Sequence, residues 1–395
     1  MAELLSLADV MKNMQKKYGK DVITTGVPAL EAKGTISLGS PSLDYITYNA
    51  IPQSSIIEIS GAEGCGKTLL AYLMARSFID KELERCPENP RNILFIDAEH
   101  TADPDWAYKA TGYDMNRQDV KTVYIAPEDM SLETVYQMEI DCVKTGEIGL
   151  VIFDSMSCLA TEHVQDKTML DQEMMAGSAR VNKDFVQRAT GILHKYKCTH
   201  IAINGTTKDL NMYSSGETTA GGTYWKRACS LRLKVKKGSF FDENYDELKS
   251  SAENPAGHVM MVSLVKSKFC RSDRRLGITH LNYRNGLDLV YDTFEMATAL
   301  GLIDNSVVGT FKIIDPETGE IMIDESGAEV KIRGKKNVLP WLKEHPTILR
   351  KLYDAIYDKI SIKNDENNCR LFEKLLNGED VDKYFGITEA DKENE

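Results

Sequence analysis

The sequence lacks the features that mark several classes of protein. No apolar run approaches the roughly 20 residues of a membrane-spanning helix, and residues 1–20 lack the apolar core of a signal peptide. The eight cysteines are scattered, without a Cys-x-x-Cys pair or an accompanying histidine pattern, which argues against a zinc site or a disulfide framework. We therefore expect a cytoplasmic protein with no membrane partner, whose cysteines are buried or incidental thiols.

The chain also lacks an excess of positive charge. Its 48 basic and 60 acidic residues give a formal net charge of -12, which argues against affinity for nucleic acid over the whole surface but leaves room for a local basic stripe. One such stretch is Val265–Arg275, where five of eleven side chains are basic. With 395 residues, 42% of them hydrophobic, we expect a soluble protein of two or three domains.

Short apolar segments alternate with helical patterns through the middle of the chain. The segments SIIEIS, NILFID, GLVIFD and THIAIN are rich in Ile, Leu, Val or Phe and indicate strands. Residues 178–196 carry apolar side chains on one helical face. Buried strands joined by helices form a parallel sheet covered on both sides. We predict an α/β fold with a mostly parallel twisted sheet, extended by antiparallel strands after about residue 230.

The two ends of the chain differ from this middle part. Residues 4–18 repeat apolar side chains at helical spacing, before a polar stretch with Gly and Pro. After residue 286, FKIID, EIMID and EVKIR predict a meander, followed by a helix from Ile348 capped by Thr347. The predicted division is residues 1–36 for an N-terminal helix and linker, 37–286 for the core, 287–378 for a C-terminal α+β domain, and 379–395 for an acidic disordered tail.

The segment GAEGCGKT fits the P-loop pattern G-x-x-x-x-G-K-[ST]. It follows a predicted strand and precedes a predicted helix, where glycine lets backbone N–H groups turn onto phosphate oxygens. We therefore predict an ATP site with Mg²⁺, in which the lysine reaches the β- and γ-phosphates and the threonine hydroxyl ligates the metal. The predicted contact residues are Gly61, Ala62, Glu63, Gly64, Cys65, Gly66, Lys67 and Thr68.

Two acidic residues end other predicted strands of the same sheet. Asp154 ends LVIFD and fits a second group on the magnesium side, although an Asp at a strand end is more often a helix cap. Glu99 follows FIDA and fits the carboxylate that orients or deprotonates the attacking water. The alternative for Glu99 is that it caps a helix starting at Asp105.

Several motifs, in order, make the chain similar to a known family. ISLGSPSLD, GAEGCGKT, FIDAEHTADP, LVIFDS, ETTAGGTYWK and LVKSK resemble the RecA family of homologous-recombination ATPases. The resemblance extends from MKNMQKKYGK to GKKNVLPWLKEHP, which covers most of the chain. It implies a RecA-type ATPase core, and an N-terminal helix that docks on a neighbouring core and builds a helical filament, because head-to-tail contacts that do not close propagate.

The resemblance also implies roles for further residues around the nucleotide. Lys266 and Lys268 match two lysines that reach the γ-phosphate of the adjacent protomer and act in catalysis. Residues two apart on a strand point to one face, which suits this role; the alternative is a solvated strand edge that prevents aggregation. Asp103, Trp106 and Tyr283 match positions that contact the base.

Two loops would bind DNA. The first spans residues 158–177, and near it Met175 and Arg180 match positions that wedge between bases and hold phosphate; core packing at a helix start is the alternative for Met175. The second spans residues 206–222 and has no core periodicity, which is uncommon unless a loop is functional. Its predicted DNA contacts, together with a lysine that follows it, are Leu210, Thr218, Thr219, Gly221, Gly222 and Lys226.

One departure from the family bears on regulation and origin. Bacterial members place a Gln that senses the γ-phosphate after the strand asparagine, here Asn204, whereas this chain has Gly205. Phage recombinases of the UvsX type also depart at this position, and they carry an ETGE turn similar to Glu317–Glu320. The resemblance therefore favours a phage-encoded RecA/UvsX-like recombinase that works in the host cytoplasm. It gives no match for Arg271, Arg274 and Arg275.

The predicted function is that of a DNA-dependent ATPase. It would form helical homo-oligomeric filaments on single-stranded DNA, pair this DNA with a homologous duplex and exchange strands in recombination and repair. Single-strand-binding and mediator proteins are expected partners. Two alternatives remain open at this point: a hexameric helicase with the same core, and a DNA-binding scaffold filament with weak hydrolysis, which Gly205 makes conceivable.

Overall fold

The computed structural model describes residues 6–18, 35–166, 177–208, 217–323 and 327–361. Helix α1 (Leu7–Tyr18) bears out the predicted N-terminal helix in this part of the chain, and Leu7 on it is 76% exposed. Met175, Leu210 and the predicted acidic tail lie outside the described residues. Strands β1 (Thr35–Ile36) and β2 (Ile51–Pro52) form a short antiparallel pair at the start of the core.

A large mixed sheet forms the centre of the described structure. Its strands are β3 (Ile56–Gly61), β4 (Asn92–Asp97), β5 (Thr122–Ile125), β6 (Ile148–Asp154), β7 (Thr199–Lys208), β8 (Glu217–Thr219), β9 (Leu231–Phe241), β10 (Glu247–Leu248), β11 (Gly257–Ser267), β12 (Leu276–Asn282) and β13 (Gly286–Leu287). The order is β13-β12-β11-β9-β3-β7-β6-β4-β5, with β8 paired to β7 and β10 to β9. Strands β5, β4, β6, β7, β3 and β9 run parallel, and β9, β11, β12 and β13 are antiparallel neighbours. The predicted parallel sheet with an antiparallel extension is confirmed.

Helices cover both faces of this sheet. The helices in this part of the chain are α2 (Pro41–Thr47), α3 (Lys67–Arg85), α4 (Pro104–Thr111), α5 (Leu132–Lys144), the short exposed α6 (Glu162–Gln165), α7 (Gly177–Lys195) and α8 (Gly222–Ala228). One core joins α2, α3 and α4 to the sheet, and a second joins α5, α7 and α8 to the other face. Successive residues of a strand divide between the two: Ile152 belongs to the first and Phe153 to the second. Among the described helices, none has the length and apolar character to cross a membrane.

The C-terminal part forms a smaller layer with its own core. It contains α9 (Leu289–Ala299), β14 (Ile303–Asp304), β15 (Thr310–Ile313), β16 (Lys331–Arg333), α10 (Lys335–Glu344) and α11 (Pro346–Ile360). The predicted meander is borne out in part. Among the described residues, EIMID forms antiparallel bridges to both flanking segments, at Ile314–Ile321 and Ile323–Glu329, but β15 also pairs directly with β16. The predicted cap is wrong: α11 begins at Pro346, so Thr347 lies inside its first turn and His345 is the N-cap residue.

The basic stretch Val265–Arg275 contributes to the junction between these two parts. The Arg274 guanidinium lies 3.7 Å from the ring centroid of Tyr48 and 4.4 Å from that of Tyr45. It also donates to the carbonyl of Ile360, the last residue of α11, at 2.9 Å. Arg271 donates to the Tyr48 hydroxyl at 3.1 Å. Arg274, which the resemblance leaves without a match, therefore connects the core to the end of α11, and Arg271 binds the same Tyr48 beside it.

Asp44 on α2 is a buried carboxylate at the same junction. It accepts hydrogen bonds from the backbone N–H of Leu38 and from the Tyr357 hydroxyl of α11, both at 2.7 Å, and a third from Ser37. Burial raises the pKa of Asp44 from 3.8 to about 6, because the desolvation of the charge outweighs these hydrogen bonds. Asp44 therefore binds a proton more tightly in the folded state than in the unfolded chain.

This elevated pKa predicts a pH dependence of stability. A carboxyl whose pKa rises on folding contributes stability that is complete below the unfolded pKa and is lost as pH rises through the folded one. Between about pH 4 and about pH 7 the free energy of unfolding should lose up to about 3 kcal/mol through Asp44. Denaturant unfolding of Asp44→Asn should show a smaller loss over this range than the unsubstituted protein. Equal pH slopes for the two proteins would contradict the prediction.

Candidate nucleotide-binding site

The P-loop connects β3 to α3 through a turn that requires glycine. Gly66 is the N-cap of α3 with φ +98°, and a Cβ added there would lie 2.7 Å from Met260 Sδ. Gly64 has φ +66° and open space around it. A Cβ on Gly61 would lie 2.3 Å from the carbonyl oxygen of Val235. The backbone therefore adopts left-handed and closely packed conformations that side chains would disturb.

Lys67 and Thr68 begin α3 directly behind this turn. Lys67 Nζ donates to the carbonyl of Ala62 at 2.8 Å, which places the ammonium over the loop. Thr68 Oγ1 donates to Asp154 Oδ2 at 2.7 Å, so the two predicted magnesium-side groups are in direct contact. The Asp154 side chain is thus hydrogen-bonded to the P-loop helix, and the alternative role as the cap of a following helix is wrong.

The Asp154 carboxylate fits a divalent cation. It is buried, and its Oδ1 has no hydrogen-bond partner among the described residues. Burial raises the pKa of Asp154 to about 6, and the nearby charges of Glu99 and Asp97 add to this effect. Mg²⁺ binds oxygen ligands. The free carboxylate oxygen of Asp154, the Thr68 hydroxyl and the nearby negative charges therefore suit this ion.

Glu99 lies on the turn that follows β4. The backbone N–H groups of Ala98 and Glu99 donate to the carbonyl of Asp154 at 2.6 and 3.2 Å, which ties this turn to the end of β6. The Glu99 side chain is exposed, and its Oε1 lies 3.7 Å from Cys158 Sγ. The alternative role as a helix cap is wrong: α4 begins at Pro104 and is capped by Asp103.

The three predicted base-contact residues lie on two neighbouring elements. Asp103 caps α4 by accepting from the Trp106 N–H at 2.9 Å, and the Trp106 ring packs partly against the first core. Tyr283 follows β12, is 40% exposed, and its hydroxyl lies 3.0 Å from His258 Nδ1. Tyr283 lies in the turn between β12 and β13, and α4 contacts β13. The three residues therefore border the same region of the surface.

Lys266 and Lys268 both hold the C-terminal end of α8. Lys266 Nζ donates to the carbonyls of Lys226 and Arg227, each at 2.8 Å, and Lys268 Nζ donates to the carbonyl of Ala228 at 3.2 Å. Burial, and next the charge of Lys268, hold the pKa of Lys266 below its usual value. The two ammonium groups therefore occupy one place on the surface, as the strand period predicts, instead of extending separately into solvent.

The described DNA-contact candidates flank the two loops. Arg180 is exposed on the first turn of α7. Thr218 and Thr219 belong to β8, which pairs with the end of β7, so the second predicted loop has a β-hairpin stem. Gly221 and Gly222 have φ of +102° and +75° at the start of α8. Lys226 Nζ donates to Thr218 Oγ1 at 2.8 Å, beside this stem.

Sequence reasoning missed a buried network between the P-loop strand and this stem. Glu58 Oε1 on β3 accepts from Asn204 Nδ2 and from Trp225 Nε1, each at 3.1 Å, and Glu58 pairs with Arg232. Arg232 also donates to Thr219 Oγ1 at 3.2 Å. The signal was a glutamate inside the apolar strand segment SIIEIS, because a buried charge requires partners.

The fold and the site together define a P-loop ATPase built on a mostly parallel sheet. The model of the RecA N-terminal domain matches residues 5–288, and the chain belongs to the RecA family. The protein named RecA of Campylobacter lari is 28% identical over 90% of this chain and 94% of its own length. Those of Thermotoga maritima and Mesoplasma florum are 26% and 29% identical over 95% and 88% of this chain, and over 97% and 93% of their own lengths.

Family membership establishes the activity. The protein is a DNA-dependent ATPase of homologous recombination and repair that uses ATP and Mg²⁺, binds single- and double-stranded DNA and forms a homo-oligomeric filament. The predicted fold class and function are confirmed. The three relatives are bacterial, and the phage origin stays a prediction.

The P-loop geometry predicts different effects for two glycine substitutions. Gly66→Ala combines a left-handed φ with a clash against Met260, whereas Gly64→Ala shares the φ but meets open space. Fluorescent-nucleotide titration should show a loss of affinity of at least about tenfold for Gly66→Ala and a smaller loss for Gly64→Ala, which carries only the backbone strain of about 1–2 kcal/mol. Equal losses would show that packing against β11 does not shape the loop.

Proposed function

We propose that the contacts of Lys67, Thr68 and Asp154 form the catalytic centre for ATP hydrolysis. The observation that carries the proposal is the Thr68–Asp154 hydrogen bond beside the partnerless Asp154 Oδ1. Thr68 and Asp154 would hold Mg²⁺, which when bound neutralises charge on the phosphate oxygens. Lys67, released from the Ala62 carbonyl, would bind the β- and γ-phosphates through a stronger, charge-assisted contact.

Glu99 is proposed to orient and deprotonate the attacking water. Its carboxylate is exposed, whereas its backbone is tied to Asp154 at the end of the neighbouring strand. Its charge also acts on Asp154, which indicates that the two carboxylates border the same space. A carboxylate placed next to the phosphate site, yet outside the metal-side pair, has the geometry of a general base.

Lys266 and Lys268 are proposed to complete the site of the adjacent protomer. In the single chain their ammonium groups satisfy neutral carbonyls at the C-terminal end of α8. A γ-phosphate presented by a neighbour carries more negative charge and is a stronger partner. Binding of ATP at the interface would therefore draw the lysines away from α8 and stabilise the filament while the triphosphate is bound.

Single-stranded DNA is proposed to bind along the start of α7 and the stem of the second loop. Arg180 and Lys226 supply cations, and Thr218, Thr219, Gly221 and Gly222 allow the phosphates to approach the backbone. Met175 and Leu210 would insert between bases. Because phosphate contacts dominate, binding should depend on salt more than on sequence.

The remaining predictions extend this proposal. Asp103, Trp106 and Tyr283 would surround the base, and the P-loop residues Gly61–Gly66 would cradle the phosphates. Single-strand-binding and mediator proteins would control filament assembly in the cytoplasm, that of a bacterial host if the gene is of phage origin. The proposed domains are residues 1–36, 37–286 and 287–378, followed by the acidic tail 379–395.

The role of Glu99 can be tested by amide substitution. Glu99→Gln should lower DNA-stimulated ATP turnover by about 10²-fold or more, because the amide cannot accept the proton. Nucleotide binding should stay within a factor of two or so, since Glu99 is outside the phosphate loop. Glu147→Gln, a change to an exposed glutamate in the turn before β6, at the other end of the strand from Asp154, is the matched control. Near-normal turnover of Glu99→Gln would refute the assignment.

The role of Lys226 can be tested through salt dependence. If its ammonium contacts a phosphate, Lys226→Ala should weaken binding to all single-stranded sequences and lower the slope of log affinity against log salt by about 0.7. Lys81→Ala on α3, far along the chain from both loops, serves as the control and should leave the slope unchanged. Titration of labelled oligonucleotides at several salt concentrations gives the slope. An unchanged slope for Lys226→Ala would exclude a phosphate contact.

A further inference from the structure

Asp97 is a buried carboxylate beside the catalytic centre without a role in the proposal above. It is the last residue of β4, is 1% exposed, and pairs in register with Asp154 of β6. Three donors converge on it: Thr101 N–H at 3.2 Å on Oδ1, and Ala102 N–H at 2.9 Å and the Tyr124 hydroxyl at 2.8 Å on Oδ2. Two of these donors belong to the backbone just beyond Glu99.

The turn that carries Glu99 is consequently held at both ends. At its start, the N–H groups of Ala98 and Glu99 donate to the Asp154 carbonyl. At its end, Asp97 accepts from Thr101 and Ala102. Between them His100 adopts φ +55°, a left-handed conformation that needs support from its surroundings. The paired ends of β4 and β6, at Asp97 and Asp154, thus determine the path of residues 98–102.

The Glu99 side chain depends on this backbone for its position. Its described contact is the long one from Cys158 Sγ to Oε1, at 3.7 Å, which is too weak to orient a carboxylate. A displacement of about 1 Å at a reacting group can lower a rate by about 10²-fold. The hydrogen bonds of Asp97 therefore control where the Glu99 carboxylate stands.

We propose that Asp97 is a positioning residue for ATP hydrolysis, which acts through Glu99 by fixing the turn at residues 98–102, with Tyr124 orienting the Asp97 carboxylate. This inference rests on the proposed role of Glu99. The Tyr124 ring stacks on Phe95 with centroids 6.1 Å apart, which holds the phenol over β4. The requirement is for an acceptor: an amide at position 97 would turn an N–H₂ group towards at least one of the three donors.

The test is a double-mutant cycle between Asp97 and Glu99. Turnover of ATP is measured with saturating single-stranded DNA, by radiolabelled single-turnover assays that resolve the slow variants. Asp97→Asn should lower turnover at least about tenfold, with a much smaller change in the Kd for ATP, because the affected turn carries the catalytic carboxylate, whereas the phosphate contacts lie on the P-loop. In the Glu99→Gln background, Asp97→Asn should have no further effect, since the group on which it acts is already lost.

Two further variants keep the test decisive. Tyr124→Phe removes one donor and leaves both backbone donors in place, so it should lower turnover a fewfold in the unsubstituted background and not at all with Glu99→Gln. It also replaces Asp97→Asn if that variant does not fold. Asp114→Asn is the matched control, because Asp114 accepts from the Asn116 N–H at 2.9 Å in an exposed turn.

The possible outcomes separate this inference from the proposed function. Normal turnover of Glu99→Gln removes the proposed base and, with it, the inference. If Glu99→Gln is slow but Asp97→Asn and Tyr124→Phe match the Asp114→Asn control, only the inference is overturned. The inference is also overturned if Asp97→Asn lowers turnover by the same factor in both backgrounds, because that result indicates a structural effect independent of Glu99.

Discussion

The parallel register of β3, β4 and β6 is the constraint on which the site depends. Parallel strands end at a common edge, where α/β proteins bind their ligands. Here the edge brings together the P-loop after β3, the Glu99 turn after β4 and Asp154 at the end of β6. The pairing of Asp97 with Asp154 aligns the ends of β4 and β6, and so places the Glu99 turn next to Asp154. Loss of this alignment would separate Asp154, the proposed metal ligand, from Glu99, the proposed general base.

Much of this site could be predicted from the sequence because its signals are local. The P-loop spacing, and the apolar runs that end at Asp154 and just before Glu99, locate the nucleotide edge of the sheet. The Glu58 network could not be assembled in this way, since its partners Asn204, Trp225 and Arg232 are brought together only by the fold. The same holds for the C-terminal layer, where strand order depends on long-range pairing. Thr347 shows the limit for caps: α11 begins at Pro346, two residues before the predicted start at Ile348.

Helix α8 lies between the two proposed ligand sites of the protein. Its N-terminal end follows the stem of the second loop, and its C-terminal end is held by Lys266 and Lys268. Gly205 lies on β7 where bacterial members have a γ-phosphate-sensing Gln, and a Cβ there would meet only Ser157 Oγ, at 3.9 Å. With that side chain missing, we propose that α8 and the Glu58 network link the nucleotide site to the proposed DNA-binding stem.

We propose that each hydrolysis site is completed by lysines of the next protomer. The most direct measurement is ATP turnover in mixed filaments of two inactive variants, Lys67→Ala and the double variant Lys266→Ala/Lys268→Ala. In an equal mixture, junctions that join an intact P-loop to intact lysines should restore about a quarter of the normal turnover, because head-to-tail contacts pair the variants at random. Mixtures that stay as inactive as the separate variants, or a double variant that hydrolyses ATP normally alone, would contradict the account.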